Sequence, residues 1–238
     1  MPKLSIIIPV FNAERFIRET LDSIVSQEFC DWEIICVDDC STDGSRALLQ
    51  DMPRVFLLER TSNSGGPSVP KNDGIWVAKG EYITTFDADD LMEPYRLAAQ
   101  VKFLDSHPGV DFVFTDFVNC GDFGVGPRHT SACLQFRSLL TNEVAEREYI
   151  IDSRGAYKAL IDENFVGGSS MMFRRRLVHT VGGFDPKLQS GEDIDFVFRA
   201  VAVGNLGYVD IVGHRRRLHA SNVTGNMKKV QTCYLSVL

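Results

Sequence analysis

Gly80-Glu81-Tyr82-Ile83-Thr84-Thr85-Phe86-Asp87-Ala88-Asp89-Asp90 sets a short apolar run directly against three carboxylates. Tyr82 to Phe86 are β-branched or aromatic, the composition of a buried strand. Asp87, Asp89 and Asp90 then fall within four residues, close enough to repel one another. A divalent cation among them relieves that repulsion. Aspartate oxygens suit Mg²⁺ or Mn²⁺, ions that commonly bridge to substrate phosphates. An isolated acidic turn would carry no such meaning, because Asp is an ordinary turn residue. The remainder of the chain decides.

Upstream, Leu4 to Val10 is a continuous apolar run, as in a parallel strand buried on both faces. Asn12 is placed to cap the next helix, whose apolar face carries Phe16, Ile17, Leu21, Ile24 and Val25. Glu33 to Val37 and Val55 to Leu58 read as the second and third strands, with Asp38-Asp39 and a short helix between them. Strands alternating with helices at this spacing predict right-handed β-α-β crossovers and a parallel sheet. Ligands of such sheets bind beyond the carboxyl ends of the strands. Pro9 to Asn12, Asp38-Asp39 and Asp87 to Asp90 all occupy such ends and predict one cleft. No G-x-G-x-x-G or G-x-x-x-x-G-K-[ST] follows the first strand, which argues against a dinucleotide site and a P-loop.

Asn63 to Gly74 holds a glycine- and proline-rich loop leading into a helix through Ile75 to Ala78. Pro70 suits the first turn of that helix, and Lys71 beside it would favour a phosphate at the helix start. Tyr95 to Ser106 predicts a helix and Asp111 to Phe117 a strand. Periodicity then weakens from Val118 to Asn164, apart from a helix near Gly155 to Ile161, and this stretch is read as the variable wall of the cleft. Ser169 to Phe173 and Leu206 to Val212 read as strands, and Asn226 to Leu238 as a terminal helix. The chain stops just after that helix, as expected of a removed tail or a short extension. Glu192, Asp193 and Asp195 open a helix in agreement with its dipole, the preferred account of Asp195. A carboxylate beside another at a buried helix start can also gain a raised pKa and act as a base.

The 238 residues, 44% apolar and 24% charged, are ordinary for a soluble globular protein. A net charge of −7 disfavours general nucleic-acid binding, with Arg174-Arg175-Arg176 and Arg215-Arg216-Arg217 as local exceptions. The six cysteines lack zinc-type spacing or a disulfide framework. No signal-peptide pattern or membrane-length apolar run is present, so a cytoplasmic location is expected.

Ser5–Ala13, Val37–Ser45, Asn63–Ser68 with Lys71–Gly74, Phe86–Asp90, and Gly182–Asp185 with Gly191–Asp195 follow one another in order and extend over about the whole of residues 4 to 200. Together these five segments resemble family 2 glycosyltransferases of the GT-A fold. The resemblance implies an α/β fold with a Rossmann-like, mostly parallel sheet. The expected organisation is a single domain over 1–238, with a nucleotide-binding half (1–117), an acceptor half (118–225) and the terminal helix. It implies an inverting, metal-dependent transferase, with a nucleotide-sugar donor and a saccharide or lipid-linked saccharide acceptor. Asp38 would then hydrogen-bond the donor's base, by default uracil, with Asp39, Pro9, Phe11 and Asn12 around it. Asp87 would meet the ribose, Asp89 a divalent metal (Mn²⁺ or Mg²⁺), and Asp193 would be the catalytic base. Lys71 stands where the family often has arginine, which keeps the charge but loses the planar fork. The Q-x-x-R-W motif and membrane helices of processive synthases are missing. Arg215–Asn222 instead resembles the basic segment of non-processive members, with His219 as a second metal or phosphate ligand. The arginine clusters are either solvated faces or sites of peripheral contact with acidic lipid. Two other readings stay open: a sugar-nucleotide pyrophosphorylase, and a non-catalytic sugar-nucleotide-binding module.

Overall fold

The computed structural model describes residues 1–122, 124–220 and 222. The expected terminal helix at 226–238 lies outside them. The first half alternates as the pattern requires: β1 (Leu4–Val10), α1 (Ile17–Val25), β2 (Trp32–Asp38), α2 (Ser45–Gln50), β3 (Val55–Glu59), α3 (Ser68–Val77) and β4 (Tyr82–Thr85). β1 pairs in parallel with β2 (Leu4 opposite Trp32) and with β4 (Leu4 opposite Tyr82), and β2 pairs in parallel with β3. The spatial order β3-β2-β1-β4 reverses direction at β1, which opens a crevice at the carboxyl ends of β1 and β4.

β1 is apolar except for Ser5 because both its faces are covered, and Ser5 Oγ donates to Glu33 Oε1 at 2.6 Å. Ile7 packs with Ile35 and Val37 on one side, while Leu4, Ile6 and Ile8 pack with Ile17, Leu21 and Ile24 of α1 on the other. Each wholly buried isoleucine contributes about 1.5–3 kcal/mol. Gly74 lets α3 lie close to the sheet, since a Cβ there would come within 2.5 Å of Ile7 Cγ2.

The second half comprises β5 (Leu91–Met92), α4 (Arg96–Ser106), β6 (Phe112–Gly121), β7 (Gly124–Arg128), α5 (Leu134–Ser138), β8 (Glu143–Ala145), β9 (Glu148–Ile151), α6 (Ser153–Asp162), β10 (Met171–Arg174), α7 (Arg175–Val181), α8 (Glu192–Val203) and β11 (Leu206–Arg217). The sheet continues from β4 through β10, β6, β11 and β9 to β8. β10 is antiparallel to both β4 and β6, so the sheet is mixed beyond its parallel half.

Several expectations need correction. Asn12 does not cap α1, which starts at Ile17 without a side-chain cap. Its backbone is left-handed (φ 52°), and its side chain accepts from Thr42 N–H at 2.8 Å instead. The weakly periodic stretch, read as loops and small elements forming a wall of the cleft, also extends the central sheet, because β9 joins it beside β11. The helix near Gly155 is present as α6, capped by Asp152 accepting from Gly155 N–H. Arg174-Arg175-Arg176 is not a uniformly solvated face, since Arg174 is buried and Arg175 half-buried while Arg176 is exposed. Arg174 is buried and donates to the Leu104 and Val110 carbonyls, Arg175 donates to the Ala78 carbonyl, and Arg176 bonds Asp111. These residues sit where β4 begins, at the end of the sheet away from the cleft.

Candidate active site

A cavity of about 690 Å³ opens at the carboxyl ends of β1 and β4. Pro9, Phe11 and Asn12 leave β1 onto its wall, and Phe11 is half exposed there. Asn12 N–H donates to Ser41 Oγ at 3.0 Å, so both its backbone and its side chain tie the end of β1 to the turn after β2. The two aspartates of that turn diverge. Asp38 is buried, accepts from Ser41 N–H at 3.3 Å, and is not on the cavity wall. Asp39 is on the wall. Its carboxylate accepts from Ser64 N–H (3.0 Å) and Oγ–H (2.7 Å) and pairs with Arg60 at 2.9 Å. A carboxylate offers about four acceptor positions, so Asp39 keeps capacity for one more donor.

Across the cavity, one oxygen from each of Asp87, Asp89 and Asp90 lies within 4.8 Å of the others. The turn is held by Asp87 N–H donating to Ser169 Oγ (3.1 Å) and by Arg217 N–H donating to Asp90 Oδ1 (3.1 Å). Pairing of β5 with β11 fixes these strands together, Met92 opposite His214. Burial and then repulsion from Asp87 hold Asp89 above the usual carboxylate range. The same causes, with Asp89 added, raise Asp90 further. His219 Nε2 stands 2.9 Å from Asp89 Oδ2, its ring stacked on Phe16 at 4.4 Å. Three oxygen donors strained by their own charge, with an imidazole nitrogen beside them, fit Mn²⁺ or Mg²⁺.

Asp193, at the start of α8, completes the wall. Burial and the adjacent Glu192 push its carboxyl up to about 6, against the opposing charge of Lys71 and an N–H bond from Ile194 (2.9 Å). Lys71 is not on the wall. It is buried, and its Nζ donates to Glu192 Oε1 at 2.6 Å. Burial acts against its charge, but Glu192, Asp87 and Asp193 outweigh that and hold it above its usual range. Asp195 forms an i,i+4 ion pair with Arg199 at 2.5 Å, a structural role.

The cleft therefore gathers Pro9, Phe11, Asn12, Asp39, Asp87, Asp89, Asp193 and His219, and leaves Asp38 and Lys71 behind its surface. Asp90, Glu192, Arg216 and Asn222 also line it. Asp90 lay within the acidic turn and Glu192 beside Asp193, so adjacency in sequence was the signal for both. Beneath the acidic turn, Arg96 is fully buried, bonded to Gln100 Oε1 (2.9 Å) and Thr84 Oγ1 (3.0 Å), with Asp90 offsetting the burial of its charge. Nothing in its helical context marked it in advance.

The sequence profile described as "Glycosyl transferase family 2" matches residues 5–182. A poly(ribitol-phosphate) beta-glucosyltransferase of Bacillus spizizenii is 53% identical over 107 residues, 42% of this chain and 17% of that protein. The crystal structure of Staphylococcus aureus TarS with UDP-GlcNAc aligns with TM-score 0.75 at 22% identity, over 94% of this chain and 61% of that one. A Pyrobaculum calidifontis mannosyltransferase structure with GDP-Man and Mn²⁺ aligns with TM-score 0.67 at 21% identity, over 99% of this chain and 63% of that one. The chain thus spans only part of the relatives it matches, and the two structural likenesses establish the fold.

Proposed function

The chain belongs to glycosyl transferase family 2, and from that premise we propose that it is an inverting, metal-dependent glycosyltransferase. It moves a sugar from a uridine diphosphate donor to a hydroxyl of a polymer acceptor, either saccharide or polyol-phosphate. The observation that carries this reading is that Asp39, the Asp87–Asp90 turn and Asp193 face one cavity.

Asp39 takes the role that the resemblance assigns to Asp38. It stands on the wall with one acceptor position left, suited to the N3–H of uracil. Pro9 and Phe11 frame the base, and Asp87 meets the ribose. Asp89, with Asp87, Asp90 and His219 beside it, would hold the divalent ion, which supplies Lewis-acid neutralisation of the diphosphate. Asp193 takes the proton of the acceptor hydroxyl as that oxygen attacks the anomeric carbon opposite the diphosphate. The C–O bond to the diphosphate breaks as the new one forms, so the anomeric centre inverts. The UDP-sugar preference draws support from the UDP-GlcNAc held by TarS, and the polyol-phosphate acceptor from the name of the B. spizizenii relative.

The test is UDP release from UDP-glucose and UDP-GlcNAc with Mn²⁺, with and without poly(ribitol-phosphate). Acceptor-dependent release that chelation abolishes is the expected outcome. Donor binding without any release would identify a binding module. Formation of UTP from UDP-sugar and pyrophosphate would identify a pyrophosphorylase.

A further inference from the structure

The first two turns of α3 grip the chain segment that carries the base. Ser68, Lys71 and Asn72 stand at i, i+3 and i+4, hence on one face of the helix. Ser68 Oγ donates to the Leu188 carbonyl at 2.6 Å. Lys71 Nζ donates to Glu192 at 2.6 Å. Asn72 brackets Phe184, accepting its N–H at 2.8 Å and donating to its carbonyl at 2.7 Å. Three points of the approach to Asp193 are thus pinned to one helix. Phe184 is itself buried against Phe196 of α8, ring centroids 4.8 Å apart. Gly183, immediately before Phe184, passes so close that a Cβ would lie 2.4 Å from Asn72 Oδ1. Lys71 and Glu192 are both buried, so removing either leaves an uncompensated charge.

We propose that Ser68, Lys71 and Asn72 are positioning residues for the catalytic base. They act on transfer by fixing residues 184–193 against α3, and not by touching the donor's diphosphate. This rests on Asp193 being the base. The charged groups that bear on Asp193 are Glu192 of its own helix, Lys71 of α3 and Asp87 of the acidic turn. Lys71 favours the ionised carboxylate, so loss of its charge moves the acid limb of the kcat profile to higher pH.

The experiment compares wild type, Lys71→Met and Asn72→Ala as full chains. It measures UDP affinity by calorimetry, donor KM and kcat, and amide hydrogen exchange over residues 184–195. Both variants are expected to lose at least about tenfold in kcat, an effect of the size a displaced base produces. KM and UDP affinity stay within about threefold, and the 184–195 amides exchange faster. Lys71→Met alone shifts the acid limb upward. Weakening of UDP by tenfold or more with unchanged exchange would overturn the proposal in favour of a diphosphate contact. Faster exchange with unchanged kcat would also overturn it. If Lys71→Met does not fold, Asn72→Ala removes no charge and carries the same prediction for kcat and exchange. A wild type that transfers no sugar would sink the functional reading, while the exchange and UDP measurements would still decide whether α3 holds this segment.

Discussion

At the scale of single residues, Asp193 holds its proton more tightly than a solvated aspartate does. Burial and Glu192 raise it to about 6, and Lys71 only partly offsets them. A base must be ionised, so kcat should climb as pH rises through about 6 and level off above it. Replacing Asp193 by Asn should cost ~10²–10⁴ in transfer rate, while UDP affinity stays within a few fold by calorimetry. The same residue sets a stability trend. Its folded value lies above the ordinary 3.8, so its contribution favours folding below about pH 4 and is lost as pH rises through about 6. Asp193→Asn should therefore melt higher than wild type at pH 7.5, with the gap closing toward pH 5. Equal transfer by the two proteins would remove Asp193 from its role. At this scale the acidic motif was legible, but the direction of a side chain was not. Asp38 and Asp39 are adjacent where β2 ends, and only one of them can face the cleft. Lys71 turned inward because α3 begins at Ser68, which puts Ser68, Lys71 and Gly74 on the buried face.

At the scale of elements, the site depends on close approaches between segments distant in sequence. The turn Gly168–Ser170 passes under α8, and a Cβ on Gly168 would lie 2.9 Å from Asp193 Oδ2. Gly168→Ala should therefore push Asp193, the proposed base, aside. Steady-state kinetics should show kcat falling about tenfold or more with donor KM nearly constant, since a misplacement near 1 Å can cost as much as 10²-fold. A rise in KM with kcat intact would mean that the turn serves donor binding instead. β11 illustrates what the sequence concealed. Its apolar signal stops at Val212, yet the strand continues through three arginines, each with a local reason. Arg215 pairs with Glu93 at 2.6 Å and Arg217 with Glu19 at 3.0 Å, while Arg216 between them faces the cavity. Alternation across the strand, rather than hydrophobicity, orders this stretch.

At the scale of the whole molecule, the parallel half of the sheet was readable because each β-α-β crossover has one favoured hand and β1 and β2 are largely apolar on both faces. The antiparallel entry of β10 between β4 and β6 was not readable. A short run buried on both faces, such as Met171 to Phe173, carries no mark of its direction or its neighbours. Among the described residues no helix is long and apolar enough to cross a membrane. The five described cysteines are free thiols. The net charge of −7 makes the local arrangement matter, because the proposed diphosphate donor would have to be held by locally grouped positive charge and a metal. The most direct measurement of that arrangement is the melting-temperature rise produced by UDP, taken with Mn²⁺ and again with EDTA, in wild type and in Asp89→Ala. A larger rise with Mn²⁺ that disappears in Asp89→Ala is the predicted result. An equal rise in EDTA, or one that Asp89→Ala leaves intact, would contradict a cation held between this rim and the donor.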